Sequence, residues 1–178
     1  MQPDILTFDL PDAGQPPSTY RLTCQQGGKD SAPRTVLCVH GLTRNARDFD
    51  FLAQALGGDA CVLCPDMPGR GESAWLADPA RYNYPAYVAG LAAMLDNLGV
   101  TQLDWVGTSM GGIIGMMMAN ARPGLIRALA LNDIGAVVSA AGLKRIAATA
   151  AAPTSFATRA EAEAALRERC ASFGIHDD

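Results

Sequence analysis

The stretch Trp105–Gly115, WVGTSMGGIIG, decides the reading of this chain. It carries Gly107-Thr108-Ser109-Met110-Gly111, a G-x-S-x-G motif, between the apolar run LDWVG and the helical stretch MGGIIGMMMANA. The setting matters more than the letters. A serine on so sharp a strand-to-helix turn has strained backbone geometry, and side chains two residues to either side would clash. Gly107 and Gly111 remove that clash. Such a turn lifts the Ser109 hydroxyl above a sheet and aims the free N–H groups of the next helix at the reacting oxygen. The alternative is a glycine-rich turn with no chemistry, but the strand-turn-helix context favours a nucleophile. An activated serine needs a histidine, and the chain holds 2, His40 and His176.

Outward from the motif, strands and helices alternate. RTVLCVHG (34–41), ACVLCPD (60–66) and IRALALND (126–133) are continuous apolar runs, as expected of strands covered on both faces. Between them lie two helical stretches. DFDFLAQAL is ended by Gly57 and Gly58. PAYVAGLAAMLDNLGV places Val88, Leu91, Met94 or Leu95, and Leu98 on one face and stops at Gly99. This alternation predicts a parallel sheet with helices on both faces. Ahead of it, LTFDL and TYRLTC alternate apolar and polar residues around the turn-rich PDAGQPPS, predicting an antiparallel hairpin with one wet face. The last ~45 residues change period. GLKRIAATAAAP reads as an Ala-rich helix stopped by Pro153. TRAEAEAALRERCASFG opens with Thr158 and Glu161 in capping-box spacing and carries Glu163 and Arg167 as an i,i+4 pair. The expected division is a core over 1–135 with six strands and a helical segment over 136–178.

Bulk properties exclude several classes. The 178 residues are 49% hydrophobic and 18% charged with net charge −4. The pI of about 5.1 gives no electrostatic case for nucleic acid or an anionic membrane. The N-terminus has Asp4 where a signal peptide carries positive charge, and MGGIIGMMMA falls short of the ~20 apolar residues of a membrane span. The expectation is a cytoplasmic protein. Five cysteines on such a chain read as free thiols. Cys61 and Cys64 match C-x-x-C spacing, but on a strand residues three apart face opposite ways, and no neighbouring histidine completes a metal site. With no phosphate loop or dinucleotide fingerprint, no cofactor is expected.

Two further loops complete the pattern. CVHGLTRN (38–45) follows one strand and PDMPGRGES (65–73) another. His40 precedes the serine, the wrong order for a base in the fold that carries such an elbow, so its expected role is to shape the loop. Asp66 and Arg70 are read as bracing the loop at the mouth of the site.

The HG loop, the D-x-P-G-x-G-x-S loop, the GTSMGG elbow and LND, in continuous order from Leu6 to Asp133, resemble the α/β-hydrolase superfamily. The resemblance implies an α/β-hydrolase fold with two antiparallel strands followed by parallel ones. It implies Ser109 as nucleophile, with the Leu42 and Met110 N–H groups as oxyanion hole, and a helical cap beginning after Asp133. A serine at the elbow implies hydrolysis of an ester, thioester, amide or C–C bond through an acyl-enzyme, on a small-molecule acyl substrate. Family members follow the cap with further strands bearing the acid and the histidine, and these are absent from the sequence. His176 follows the serine but sits beside the last helix. Asp133 is either the acid, as in members that place it after the strand following the elbow, or a strand-end carboxylate capping the next turn. The chain is therefore expected to be the N-terminal part of a longer hydrolase. The alternatives are a partner chain that supplies the missing strands and histidine, or a short binding module without turnover.

Overall fold

The computed structural model describes residues 4–13, 18–150 and 155–171. The chain divides into two compact units, Met1–Ala136 and Val137–Asp178. The first unit contains β1 (Asp4–Asp12), β2 (Ser18–Gly28), β3 (Thr35–Val39), α1 (Asp50–Leu56), β4 (Cys61–Pro65), α2 (Tyr84–Asn97), β5 (Leu103–Thr108), α3 (Met110–Ala121) and β6 (Ile126–Asn132). Its six strands form one sheet in the order β1-β2-β4-β3-β5-β6. β1–β2 and β2–β4 pair antiparallel, and β4–β3, β3–β5 and β5–β6 pair parallel. This is the mostly parallel sheet expected from the alternation and from the resemblance.

Strand alternation explains the layering. On β3, Leu37 and Val39 face one side with Trp105 of β5 and the apolar stripes of α2 and α3. Val36 and Cys38 face the other, with Phe49, Val62 and Cys64, and α1 residues Leu52, Ala53 and Leu56 pack there. Cys61 and Cys64 lie on opposite sides of the sheet, as the strand period requires. α2 begins at Asn83, whose side chain accepts the Ala86 N–H, with Pro85 in the first turn. Its buried face is Tyr87, Gly90, Leu91, Met94 and Leu95, while Val88 is only half-buried. Gly99, at φ 66, ends the helix.

At the amino ends of the parallel strands the buried Asp104 carboxylate takes Arg34 at 2.5 Å and Arg127 at 2.6 Å. Arg34 precedes β3 and Arg127 lies on β6, so one carboxylate ties three adjacent chain segments. The Arg127 guanidinium, with Arg34 adding to it, holds that carboxyl below the usual range.

One expectation is corrected. β6 has the composition of a strand covered on both faces, yet Arg127, Ala128, Ala130, Leu131 and Asn132 are exposed. It is the edge strand of the sheet among the described residues. Among the described residues its only ladder is to β5, so neither its outer edge nor most of its surface is covered.

The second unit contains α4 (Ala140–Ala150) and α5 (Arg159–Cys170). Thr158 caps α5 by accepting the Glu161 N–H at 3.2 Å, and the Glu161 carboxylate reaches back to the Ala157 N–H at 3.0 Å. Glu163 forms an ion pair with Arg159, one turn before it, at 2.7 Å. Pro153 lies outside the described residues. No helix is long and apolar enough to cross a membrane among the described residues.

Packing between β5, α3 and β3 leaves no room for a side chain at two glycines. A Cβ on Gly107 would stand 2.5 Å from the Gly111 carbonyl carbon, and one on Gly111 would overlap the Val39 carbonyl oxygen. Both obstacles are backbone and cannot swing aside. Gly111→Ala is therefore expected to cost about 3 kcal/mol, the upper range for overpacking. Gly58→Ala, where nothing lies within 4 Å, should stay within about 0.5 kcal/mol of the parent. Urea denaturation of the two variants measures the contrast.

Candidate active site

Four strands deliver their carboxyl ends to one rim of the sheet, the rim at which open α/β sheets bind ligands. His40 follows β3, Asp66 follows β4, Ser109 follows β5 and Asp133 follows β6. Ser109 sits at φ 49, in the left-handed region that a non-glycine residue rarely adopts. The strain is held from three directions. The Ser109 N–H donates to the Asn132 carbonyl at 2.9 Å. Its own carbonyl accepts from Gly112 and Ile113 at 2.9 and 3.2 Å, starting α3. Trp105, fully buried beneath, donates its indole N–H to the Gly111 carbonyl at 3.0 Å. Although Ser109 occupies the N-cap position, its hydroxyl makes no capping bond and has no partner among the described residues.

The loop after β3 lies against this serine. A Cβ on Gly41 would stand 3.8 Å from the Ser109 Cβ and 3.7 Å from the Thr108 carbonyl oxygen. The buried His40 sets the loop's direction. Its Nε2 accepts the Met67 N–H at 2.9 Å, which places the ring proton on Nδ1, and Nδ1 donates to the Gly41 carbonyl at 2.7 Å. The Arg44 N–H bonds the same carbonyl at 3.2 Å. Because the peptide is planar and trans, a Gly41 carbonyl held toward His40 turns the Leu42 N–H the opposite way. Among the described residues, neither the Leu42 N–H nor the Met110 N–H, an orphan donor of the first helical turn, has an acceptor.

The loop after β4 closes the arrangement. Asp66 is buried, and its two carboxylate oxygens accept the Ala46 N–H at 2.7 Å and the Glu72 N–H at 2.9 Å. Gly71, at φ 52, leaves room for that carboxylate, which a Cβ would overlap. Ser73 accepts the Thr23 N–H at 2.8 Å and donates to the Asp66 carbonyl at 2.7 Å, tying the loop to β2. Asp66 is thus a brace. Arg70 bonds the carbonyls of Leu42 and Pro68 and the Tyr87 hydroxyl.

Both His40 ring nitrogens are engaged, so it has none to offer the serine. His176 lies outside the described residues. Asp133 is exposed at the end of β6, at φ 54, and its carboxylate has no hydrogen bond among the described residues. The sequence reading named Asp66 and Arg70 but missed their partners. Ser73 ends a motif it had noted without a role, and the Tyr82 and Tyr87 rings beside Arg70 carry no motif at all. No group of three or more His, Cys, Asp or Glu side chains fit to hold a metal is found among the described residues.

A sequence model described as the alpha/beta hydrolase fold matches residues 34–167. The chain belongs to the alpha/beta hydrolase fold family. It is 44% identical over 161 residues to a protein named 3-hydroxybutyrate-oligomer hydrolase from Cupriavidus necator, covering 90% of this chain and 55% of that one. It is 34% identical over 134 residues to Lipase LipV from Mycobacterium tuberculosis, covering 75% and 50%. A solved alpha/beta hydrolase from Novosphingobium aromaticivorans superposes with TM-score 0.82 at 39% identity, covering 96% of this chain and 60% of that one. The chain spans about half the length of the curated alpha/beta hydrolases it matches.

Burial pushes His40 below the ordinary imidazole value of 6.5, outweighing the opposite pull of the Gly41 carbonyl and Asp66. The unfolded chain takes up a proton near pH 6.5 that the folded chain refuses. Stability is then full above about pH 6.5 and falls as the pH drops below it. Urea midpoints at pH 7.5 and pH 5 should show this fall. His40→Gln should start lower, by about 1–3 kcal/mol for the disrupted buried bonds, and show a smaller fall.

Proposed function

We propose that this protein is a serine hydrolase that cleaves a carboxylic ester or related acyl bond through an acyl-enzyme on Ser109. The observation that carries the reading is the left-handed Ser109, its hydroxyl uncapped, together with two backbone N–H groups, of Leu42 and Met110, that have no acceptor among the described residues. Strain of this kind persists where the surroundings over-determine it, and it clusters at functional sites. In the proposed reaction Ser109 Oγ attacks the acyl carbon and its proton passes to a histidine outside the described residues. The Leu42 and Met110 N–H groups hold the developing oxyanion. That proton then leaves with the alcohol. Water, deprotonated by the same base, releases the carboxylic acid and regenerates the serine. Asp133, exposed at the same rim, is a candidate for the acid that orients the histidine.

The named activity of the Cupriavidus protein, at 44% identity, supports short esters of small hydroxy acids as the substrate class. We read the Val137–Asp178 unit as the beginning of a helical cap. No cofactor, nucleic acid or membrane enters this reading, and the protein is proposed to act in the cytoplasm. A second reading, a non-catalytic acyl-binding module or one part of a complemented assembly, is favoured by one observation. No histidine among the described residues is available to Ser109, since His40 is committed on both nitrogens.

Treatment with a fluorophosphonate, followed by intact mass, separates the two. A single adduct lost in Ser109→Ala, with p-nitrophenyl butyrate hydrolysis falling by at least about 10³-fold, supports the hydrolase. A folded chain that takes no adduct and turns over no ester supports the second reading.

A further inference from the structure

The loop after β3 is held to the loop after β4 at three places. Gly41 is tied through His40 to Met67, Leu42 is tied to Arg70, and Ala46 is tied to Asp66. The middle tie falls on the residue whose N–H faces the serine in the proposed reaction. Arg70 Nε donates to the Leu42 carbonyl at 3.1 Å, while Nη1 donates to the Pro68 carbonyl at 2.7 Å and the Tyr87 hydroxyl at 3.0 Å. Its guanidinium carbon lies 5.8 Å from the Tyr82 ring centre and 5.7 Å from that of Tyr87. The backbone of Arg70 is constrained as well, between Gly69 at φ 75 and Gly71 at φ 52.

We propose that Arg70 is a positioning residue for the oxyanion hole, holding the Leu42 carbonyl so that the Leu42 N–H keeps its aim at Ser109. This rests on the serine-hydrolase reading above. The physical case is that a residue's φ and ψ are set by the peptides on either side of it. His40 and the Arg44 N–H pin the peptide before Leu42, and Arg70 pins the one after it. With both held, the Leu42 N–H cannot drift by rotation about its own Cα. A planar guanidinium suits the task because its fork reaches three acceptors at once while its carbon stays within cation–π range of two tyrosine rings. An ammonium has neither the plane nor the fork. Donors that need no reorganisation as charge develops are the ones that lower a barrier, so a loosened Leu42 should penalise the transition state more than the bound substrate.

The test compares the full wild-type chain with Arg70→Met, which keeps an apolar stem against the two tyrosines and loses every donor, and with Arg70→Lys. The expected result for Arg70→Met is a kcat on p-nitrophenyl butyrate about 10- to 100-fold lower, short of the loss from deleting a donor outright, with KM within about threefold. Affinity for a boronic acid that adds to Ser109 as a tetrahedral adduct should fall by the same factor as kcat/KM. Affinity for planar butyrate should not move. Arg70→Lys should lie between wild type and Arg70→Met. Hydrogen exchange of the peptide covering Gly41–Ala46 should speed up in Arg70→Met, with the sheet unchanged.

The proposal is overturned if exchange in that loop is unchanged, or if the loop loosens while kcat and boronate affinity hold. It is equally overturned if KM, butyrate affinity and thermal stability shift together, the pattern of a purely structural residue. A wild-type chain that neither labels at Ser109 nor hydrolyses the ester shows that these residues do not activate the serine by themselves, the outcome of the second reading above. In that case the exchange measurement alone decides whether Arg70 holds the loop.

Discussion

The first turn of α3 lies so close to the sheet that no side chain fits between them. At Gly111 the helix backbone meets the Val39 carbonyl, and at Gly107 the strand meets the helix. That contact forces the chain to reverse within one residue, and Ser109 takes the left-handed conformation that the reversal demands. The fold holds this strain by satisfying the polar groups around it. The Ser109 N–H, the Ser109 carbonyl and the Gly111 carbonyl each have a partner. Among the described residues, the Ser109 hydroxyl and the Leu42 and Met110 N–H groups have no partner. The same close approach that makes the backbone unusual leaves the hydroxyl without a cap to fill.

The two loops beside the serine form one unit, although 20 or more residues separate their ties along the chain. Buried polar groups require partners, and here each loop supplies the other's. Asp66 satisfies backbone donors on both loops, and His40 links a backbone N–H of one to a carbonyl of the other. Each loop has local bonds as well, Arg44 to Gly41 in one and Glu72 to Asp66 in the other, but the Met67 N–H and the Ala46 N–H find their acceptors only across the pair. The geometry around Ser109 is therefore a property of the pair, which is why a neutral, fully engaged histidine stands where a catalytic base would be tempting to assign.

The fold was legible because strand and helix periods differ and glycines mark the ends. β3, β4 and β5 were readable as covered runs, and the hairpin as an alternating one. The elbow was readable because the turn requires glycine on both sides of the serine. The burial of the last strand was not readable. IRALALND has the composition of a strand covered on both faces, yet composition says nothing of which elements stand against those faces, and most of β6 is exposed among the described residues. The Arg159–Glu163 pair is one of two that the i,i+4 spacing allows around Glu163, and spacing carries no signal of which side chains close. The bracing of Asp66 was foreseen in kind, but its partners Ala46 and Glu72 are backbone groups whose identity is no signal. The aromatic seat of Arg70 comes from α2 and the segment before it, brought near only by the completed fold.

The Asp104 carboxylate and Ser109 stand on the same strand, β5, one near its amino end and the other just past its carboxyl end. Five residues of extended chain separate them by about 17 Å. Effects of changes that far apart, with no partner in common, add rather than interfere. The sheet thus separates two selective pressures along its length. Its amino rim, where Arg34 and Arg127 meet Asp104, can be rebuilt for heat or salt tolerance over evolutionary time. The opposite rim can meanwhile change what it acts on, so lineages can adapt to new habitats and new chemistry by separate substitutions on one scaffold.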